Sequence, residues 1–287
     1  MRTSVPDIFA VGDAVRPGLL TEAIGAGRIA ARAIDDLLRG RQDAYDQLPA
    51  IPQARVHLEY YDPRVPTEGD LLSCSTACHL DPDLDATTRP RRFGWRGSLG
   101  QVGAAQSHLA RCGVGEGDLF LFWGLFRNAE NERTGWRFTG PREHRLFGWL
   151  QVAEVIHLGH DGSHTASCYP WLHEHPHVRS GWSDTNTLYI AADHLTLDGR
   201  STALPGSGLF HTGYRLTAEG SKLPSTWRAP DWLNPKRAGV GMTYHPEERW
   251  SEEGTVRTAA RGQEFVADIT GRQDALAWLR DLFEREQ

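Results

Sequence analysis

The segments LFLFWGLF at residues 119–126 and LFGWLQVAEVIHL at residues 146–158 decide the fold. The first contains no polar side chain, and the second is interrupted at only a few positions. Apolar runs of this length that are rich in aromatic residues are typical of strands buried on two sides. We therefore predict two core strands and expect the surrounding segment, residues 79–158, to organise the rest of the chain.

The residues before the first core strand predict a helix over 98–111. Ser98 and Gln101 have the S-x-x-Q spacing of a capping box, in which each side chain satisfies a backbone N–H at a helix start. The Gly-Ala-Ala run that follows permits close packing, and Gly113 is placed to end the helix. The turn GVGEGD then leads into the strand.

Other short segments complete the expected domain. Further strands are predicted at 188–191, 209–216 and 264–269, and an amphipathic terminal helix at 274–284. Gly and Pro residues separate these segments, as expected for turns. The sequence therefore predicts a strand-rich α+β domain.

The chain divides into three parts. Residues 1–40 predict a strand, a tight turn and a helix, and residues 41–70 carry several prolines without a sustained hydrophobic period, which is typical of a linker. Residues 71–287 contain no comparable break, so we expect them to form one domain.

Composition limits the classes of partner. A net charge of −6 provides no global attraction to nucleic acid or to an anionic membrane, so a polyanion site requires local clustering of cations. Four cysteines without a signal peptide favour reduced thiols and a cytoplasmic location. The sequence contains no apolar run of the roughly 18 residues that span a bilayer, and no membrane partner is expected.

The first part of the chain resembles the closing segment of pyridine nucleotide-disulfide oxidoreductases, most closely the small subunit of glutamate synthase. The pattern T-x-x-x-x-x-F-A-x-G-D-A-V at residues 3–15 carries the resemblance. It implies that Gly12 and Asp13 contact FAD, with Asp13 holding a ribityl hydroxyl. FAD binding is expected only with a partner chain that completes the site, because the dinucleotide-binding units of such flavoproteins are not recognisable here.

The main domain resembles the third of the nucleotide modification associated domain families. Matching blocks include HLDPDLD at 79–85, RPRRFGWRGSLGQVGAAQSHL at 89–109, GVGEGDLFLFWGLFR at 113–127 and RGQEFVAD at 261–268. The resemblance implies an association with nucleotide or base modification in DNA, without a defined reaction. It does not decide between catalysis and recognition.

A Gly-Asp turn into an aromatic strand, followed by a second glycine-bearing strand, is similar to the core of the PUA and EVE class of small barrels. Those barrels hold nucleic acid or a flipped modified base against an aromatic wall. The similarity implies a small barrel with peripheral helices, and fold similarity alone does not establish function.

Three aspartates alternate in DPDLD. In an extended segment, Asp81, Asp83 and Asp85 would point to one side, which suits a hard cation or, if crowding raises one pKa, proton transfer. The alternative is an acidic loop that pairs with the arginines downstream. Both interpretations stay open.

Arginines interleave with aromatic residues just after these aspartates. Guanidinium groups bind phosphates and aromatic faces stack on unpaired bases, so the composition suits a nucleotide site. A network with the nearby aspartates would instead neutralise the cations. The nucleotide-binding candidates are Arg89, Arg91, Arg92, Trp95, Arg96, Gln106, Trp123 and Arg127.

Histidines add two weaker candidates. His108, on the predicted helix, has a side chain suited to proton transfer near neutral pH, but a structural role is favoured because the sequence identifies no partner base or nucleophile. The segment HEHPH at 173–177, with Cys74 and Cys78, loosely resembles a zinc ligand set, and we assign no metal.

The leading hypothesis is a domain that binds or acts on a nucleotide or a modified base in DNA, with its site in residues 79–127. A fragment of an FAD-dependent oxidoreductase and a non-catalytic interaction domain are the alternatives.

Overall fold

The computed structural model describes residues 81–88, 91–132, 135–173, 175–178, 181–258 and 264–286. The flavoprotein-like segment 1–40, with Gly12 and Asp13, lies outside these residues. So do the predicted linker 41–70 and Arg89.

The described residues contain nine strands and three α-helices. The elements are β1 (Ser98–Gln101), α1 (Gly103–Arg111), β2 (Leu119–Glu132), β3 (Gly135–His157), α2 (Ser163–Cys168), β4 (Thr187–Ala191), β5 (His194–Leu197), β6 (Arg200–Pro205), β7 (Ser207–Arg215), β8 (Thr226–Arg228), β9 (Thr255–Arg257) and α3 (Gln273–Glu284). The predicted α+β class with more strand than helix is confirmed.

The central sheet has five strands in the order β1-β4-β3-β2, with β7 paired to another part of β3. All of its pairings are antiparallel. β5 pairs with β6, and β8 pairs with β9, as separate two-stranded sheets. Among the described residues these sheets do not close into a barrel, so a PUA- or EVE-like barrel stays a prediction.

β3 pairs with three of the other four strands of the sheet, and β1 is joined to it through β4. It pairs with β2 and β7 before Val152 and with β4 from Val152 onward, across a bulge between Val152 and Glu154. Such bulges bend a strand and change its twist, so one long strand serves two differently oriented halves of the sheet. The two predicted core strands therefore exist, as parts of the longer β2 and β3.

Three hydrophobic clusters cover this sheet. The first lies between the β2–β3–β7 region, β8, β9 and α3, and includes Trp149 and Phe283. The second includes Leu84, Leu99 and Leu150. The third packs the residues around Leu172 against β4. Successive residues of β2 face different clusters, as the two-residue period of a strand requires.

Two strand predictions and the terminal helix are confirmed. The predicted 188–191, 209–216 and 274–284 correspond to β4, β7 and α3. The predicted strand at 264–269 is wrong, because those residues form no strand. Their apolar side chains instead pack on the first cluster from an irregular segment.

The predicted helix start is also wrong. Ser98 to Gln101 form β1, and α1 begins only at Gly103, with Val102 as a cap that makes no side-chain bond. The backbone of Ser98 pairs with Asp83 on one side and β4 on the other, so tertiary pairing overrides the local capping signal. β2 is also only half-buried, because it lies at the edge of the sheet as described.

Gly206 lies close to the backbone of the β4–β5 connection, so adding a single methyl group at this position should strongly lower the stability of the protein. A Cβ at Gly206 would overlap the carbonyl oxygen of Ala192, whereas a Cβ at Gly115 would meet nothing closer than 3.8 Å. We expect Gly206→Ala to lower the free energy of unfolding by about 3 kcal/mol through overpacking, and Gly115→Ala to leave it nearly unchanged. Urea denaturation of both variants measures the difference, and equal stabilities would contradict the packing described.

Candidate functional site

The segment that follows Asp81 extends the central sheet beyond β1. Asp83 and Ser98 exchange two backbone hydrogen bonds, each of 2.8 Å. Asp81 and Asp83 are buried, whereas Asp85 is half-buried and its carboxylate accepts hydrogen bonds from Thr87 in a short turn. The three carboxylates therefore do not share one environment, and two of them are drawn into the protein.

Asp83 is the anchor of the arginine-rich segment. Arg91 donates to both of its carboxylate oxygens, at 2.6 Å and 2.7 Å, and Trp95 Nε1 donates at 3.2 Å. The guanidinium carbon of Arg91 lies 4.1 Å from the centre of the Trp95 ring. The side chains of Arg91 and Asp83 are 9% and 4% exposed, so the pair is buried as well as bidentate. The Asp–Arg pairing, one of the two interpretations of this segment, is thus present at Arg91.

Asp81 meets a pair of histidines. Its Oδ2 lies 3.2 Å from His177 Nε2, its Oδ1 lies 3.8 Å from His175 Nε2, and the backbone N–H of Gly100 donates to Oδ1. The other ring nitrogen of His177, Nδ1, lies 2.6 Å from Asn186 Oδ1. Burial by itself lowers the pKa of His177, but the bonds to Asp81 and Asn186 and the charge of Asp81 outweigh it and raise the pKa.

The segment then forms a turn that projects from this anchored base. The N–H of Trp95 donates to the carbonyl oxygen of Arg92 across the turn, at 3.1 Å, and Gly94 has a φ of 81°. Phe93 is 103% exposed, and Arg92 is exposed with a bond of 3.3 Å to the carbonyl oxygen of Pro170. The turn therefore presents a complete aromatic face next to a cation.

The wall beside this turn is aromatic and acidic. Gly94 lies against Trp171, since a Cβ there would be 3.6 Å from the indole ring. Arg96 approaches Glu154 at 3.5 Å, and the hydroxyl of Tyr169 donates to the same carboxylate at 2.6 Å. We call this group the turn surface; Arg92 and Phe93 in it are exposed, and Arg96, Tyr169 and Trp171 are half-buried.

Phe93 and Trp171 were not among the predicted site residues. An aromatic residue between Arg92 and Gly94 in a turn-forming sequence was the available signal for Phe93. Trp171 is distant in sequence from this segment, and only the tertiary structure brings it to the turn.

Two other predicted site residues lie on α1. Gln106 and His108 are buried; Gln106 accepts from the hydroxyl of Tyr189, and His108 Nε2 lies 3.0 Å from Thr243 Oγ1. These contacts hold α1 against β4 and against the loop before residue 245. Arg127 donates to the carbonyl oxygen of Gly140 across the β2–β3 hairpin.

Trp123 lies in the first hydrophobic cluster, apart from the arginines of the turn surface. Its ring centre is 4.7 Å from that of His144, 4.9 Å from that of Trp227 and 6.0 Å from that of Phe265. The structure thus separates the two predicted stacking residues, Trp95 and Trp123. Trp95 belongs to the anchor of the turn, and Trp123 belongs to an aromatic group elsewhere.

His144 is kept neutral within this aromatic group. Trp227 Nε1 donates to His144 Nδ1 at 2.8 Å, which requires the ring proton to be on Nε2. Burial lowers its pKa from 6.5 to about 4.

Within the ranges that the structure describes, no three His, Cys, Asp or Glu side chains are grouped as metal ligands. In the HEHPH segment, His175 and His177 are buried beside Asp81, while His173 is exposed. No helix in the described part of the chain is both long and apolar enough to cross a membrane.

Comparison with models of protein families identifies the family of the chain. The model of a family described as nucleotide modification associated domain 3 matches residues 44–268. No curated protein and no solved structure shows significant similarity to the chain.

The burial of the Asp83–Arg91 pair predicts that its loss costs far more stability than the loss of an exposed ion pair with the same closest N–O distance. Arg237 and Asp231 are also 2.6 Å apart but are 39% and 70% exposed. We expect Asp83→Asn to cost about 3–5 kcal/mol, since it leaves a buried guanidinium with a neutral partner. Asp231→Asn should cost at most about 1 kcal/mol. Denaturant titration of both variants checks this, and similar losses would contradict the anchoring role.

The lowered pKa of His144 predicts a loss of stability in acid. Above pH 6.5 the ring is neutral in both states, and as the pH falls towards 4 the unfolded chain binds the proton first. A shift from 6.5 to about 4 corresponds to about 3 kcal/mol lost between pH 7 and pH 4. His144→Asn keeps an acceptor for Trp227 and cannot titrate, so its unfolding free energy should fall by about 3 kcal/mol less over this range. If the unfolding free energies of the two proteins change in parallel with pH, the His144 ring is not buried in its neutral form.

Proposed function

Because the chain belongs to the nucleotide modification associated domain 3 family, we propose that it binds a nucleotide, or a modified base in DNA, at the turn surface. The observation that carries the proposal is Phe93, which is fully exposed and directly follows the exposed Arg92 on a turn with a buried anchor. The ligand is the nucleotide class that the family description suggests.

The exposed ring provides a stacking surface. The ring of Phe93 stands in solvent, and an aromatic face accepts any base by stacking. Trp171 lies beside the same turn and offers a second ring. A single unpaired base stacked on Phe93 would therefore bury apolar surface that is exposed in the free protein.

Two arginines of the turn surface provide the charge to bind a phosphate group of the nucleotide. Arg92 is exposed, and Arg96 is only half-buried in its contact with Glu154. A guanidinium group binds phosphate oxygens in a bidentate way. Since the whole chain carries a net charge of −6, this local pair favours a short contact with one or two phosphates over an extended contact with a duplex.

The anchored base of the turn lowers the cost of binding. Asp83 already holds Arg91 and Trp95, so little conformational freedom remains to be lost when a ligand binds to the turn. We assign Asp81 and Asp83 to this positioning role, because their carboxylates are engaged by His177 and Arg91. In this proposal they are neither metal ligands nor acid–base groups.

The test is binding of short single-stranded oligonucleotides, with and without a modified base, measured by fluorescence anisotropy. Phe93→Ala should weaken binding by about 5- to 100-fold, which corresponds to the loss of one stacking contact of about 1–3 kcal/mol. Because the ring is exposed, thermal stability should not change. Leu223→Ala removes another exposed hydrophobic side chain and serves as the matched control.

Arg92→Gln should weaken binding of all oligonucleotide sequences alike. It should also reduce the slope of log affinity against log salt concentration by about one, because one phosphate contact is lost. Unchanged affinity in both Phe93→Ala and Arg92→Gln would overturn the proposal, as would negligible binding by the unaltered chain.

A further inference from the structure

Two arginines on neighbouring strands share one buried carboxylate. Glu143 and Arg145 lie on β3, and Arg215 lies at the end of β7, where the strand register pairs it directly with Arg145. Arg145 donates through Nε to Glu143 Oε1 at 2.7 Å, and its Nη2 lies 2.5 Å from the same oxygen. Arg215 Nε lies 2.7 Å from the other oxygen, Oε2. We call Glu143, Arg145 and Arg215 the β3–β7 cluster.

The cations of the β3–β7 cluster face solvent, whereas its carboxylate does not. The side chain of Glu143 is 10% exposed, and the side chains of Arg145 and Arg215 are 28% and 39% exposed. A ligand can therefore approach the two arginine side chains from solvent without any opening of the protein.

The shared carboxylate fixes how far apart the two guanidinium groups lie. Each Nε is 2.7 Å from one of the two oxygens of Glu143, so the two groups are adjacent to a single small anion. The oxygens of a phosphate group are separated by a distance similar to that between carboxylate oxygens. Since guanidinium groups bind phosphate oxygens in a bidentate way, one phosphate can accept hydrogen bonds from both arginines.

The cluster has more positive than negative charge. Arginine is protonated at every physiological pH, and one carboxylate cannot balance two guanidinium groups. Among the described residues, Arg215 forms an ion pair with Glu143 alone, through Nε. Because the whole chain carries a net charge of −6, this surplus is local, and it attracts an anion to this position on the sheet.

Glu143 also restricts the two arginines before a ligand binds. A long side chain loses conformational entropy when a ligand holds it in one position, and this loss weakens binding. Arg145 is already held by two contacts with Glu143, and Arg215 is held by one. Less entropy therefore remains to be lost than at an isolated surface arginine.

The β3–β7 cluster lies on the side of the sheet that the segment before the turn crosses. Leu146 points into the first hydrophobic cluster, so its neighbour Arg145 faces the other side of the sheet. Leu84, which follows the anchoring aspartate, belongs to the second cluster and contacts β3 at Gly148, where a Cβ would be 2.8 Å from Leu84 Cδ1. Arg145 is three residues from Gly148, which corresponds to about 10 Å along the strand.

We propose that Arg145 and Arg215, held by Glu143, bind a phosphate group. The ligand is a phosphate of a nucleotide or of the sugar–phosphate backbone of a single strand. The assignment to a nucleotide rests on the proposed function, whereas the phosphate chemistry follows from the cluster itself. The site uses none of the residues of the turn surface, so variants at one site leave the side chains of the other unaltered.

The experiment follows the arginine Nε–Hε signals of the full chain by ¹H–¹⁵N correlation spectroscopy. The protein is titrated with inorganic phosphate and, separately, with a short single-stranded oligonucleotide, and sodium chloride at equal ionic strength is the control for screening. We expect the signals of Arg145 and Arg215 to shift with saturation, and chloride to leave them in place. A response to inorganic phosphate identifies a free phosphate group as a sufficient ligand, and a response to the oligonucleotide alone identifies a backbone phosphate.

Matched variants test the contribution of the arginine. Arg215→Gln removes one guanidinium group and leaves Glu143 paired with Arg145, so affinity for the ligand that shifts the signals should fall by about fivefold or more. For the oligonucleotide, the slope of log affinity against log salt concentration should also fall by about one. Arg200→Gln removes the same charge from an exposed arginine of β6 and should change neither quantity. Thermal melts confirm that both variants are folded.

Two results would overturn the inference. One is a set of arginine signals that neither ligand shifts, or that chloride shifts to the same extent. The other is an affinity that Arg215→Gln lowers no more than Arg200→Gln does. If Phe93→Ala still weakens oligonucleotide binding in these cases, the proposed function stands and the phosphate site fails. If the Arg215 signal responds while Phe93→Ala has no effect, the phosphate site stands and the proposed role of the turn surface fails.

Discussion

The buried ion pair between Asp83 and Arg91 is the interaction on which the turn surface depends. Removing two charges from water is costly, and the cost is offset only when the geometry is good and further hydrogen bonds complete it. Here the bidentate geometry, the Trp95 indole and the backbone pairing of Asp83 with Ser98 supply those conditions. The pair fixes where the chain turns, and the turn then places Phe93 in solvent.

β3 connects this anchor with the rest of the molecule. Glu154, after the bulge, engages Arg96 and Tyr169 beside the turn, whereas His144, before the bulge, contacts Trp123. Because a bulge re-aims the side chains that follow it, one strand serves two groups of different chemistry. One group is cationic and exposed, and the other is neutral and half-buried.

Patterns that depend on burial could be predicted from the sequence, whereas patterns that depend on pairing partners could not. The apolar runs at 119–126 and 146–158 identify β2 and β3, and the amphipathic end of the chain identifies α3. Ser98 and Gln101 look locally like a helix cap, but backbone partners distant in sequence make them a strand. The clustering of Asp83, Arg91 and Trp95 was predictable because they are close in sequence. The contacts of Trp171 with the turn and of His245 with Phe265 join segments that are distant in sequence, and the local sequence of each segment does not predict them.

The central claim is that the anchored turn contacts a base. Photocrosslinking of the full chain to a single-stranded oligonucleotide that carries one 5-iodouracil, followed by peptide mapping, tests it most directly, because this base reacts with an aromatic ring only when the two are stacked or in contact. The account predicts an adduct at Phe93 or Trp171, lost in Phe93→Ala if Phe93 is the reacting ring. Adducts confined to other parts of the chain, or none under conditions where the oligonucleotide is bound, would contradict it.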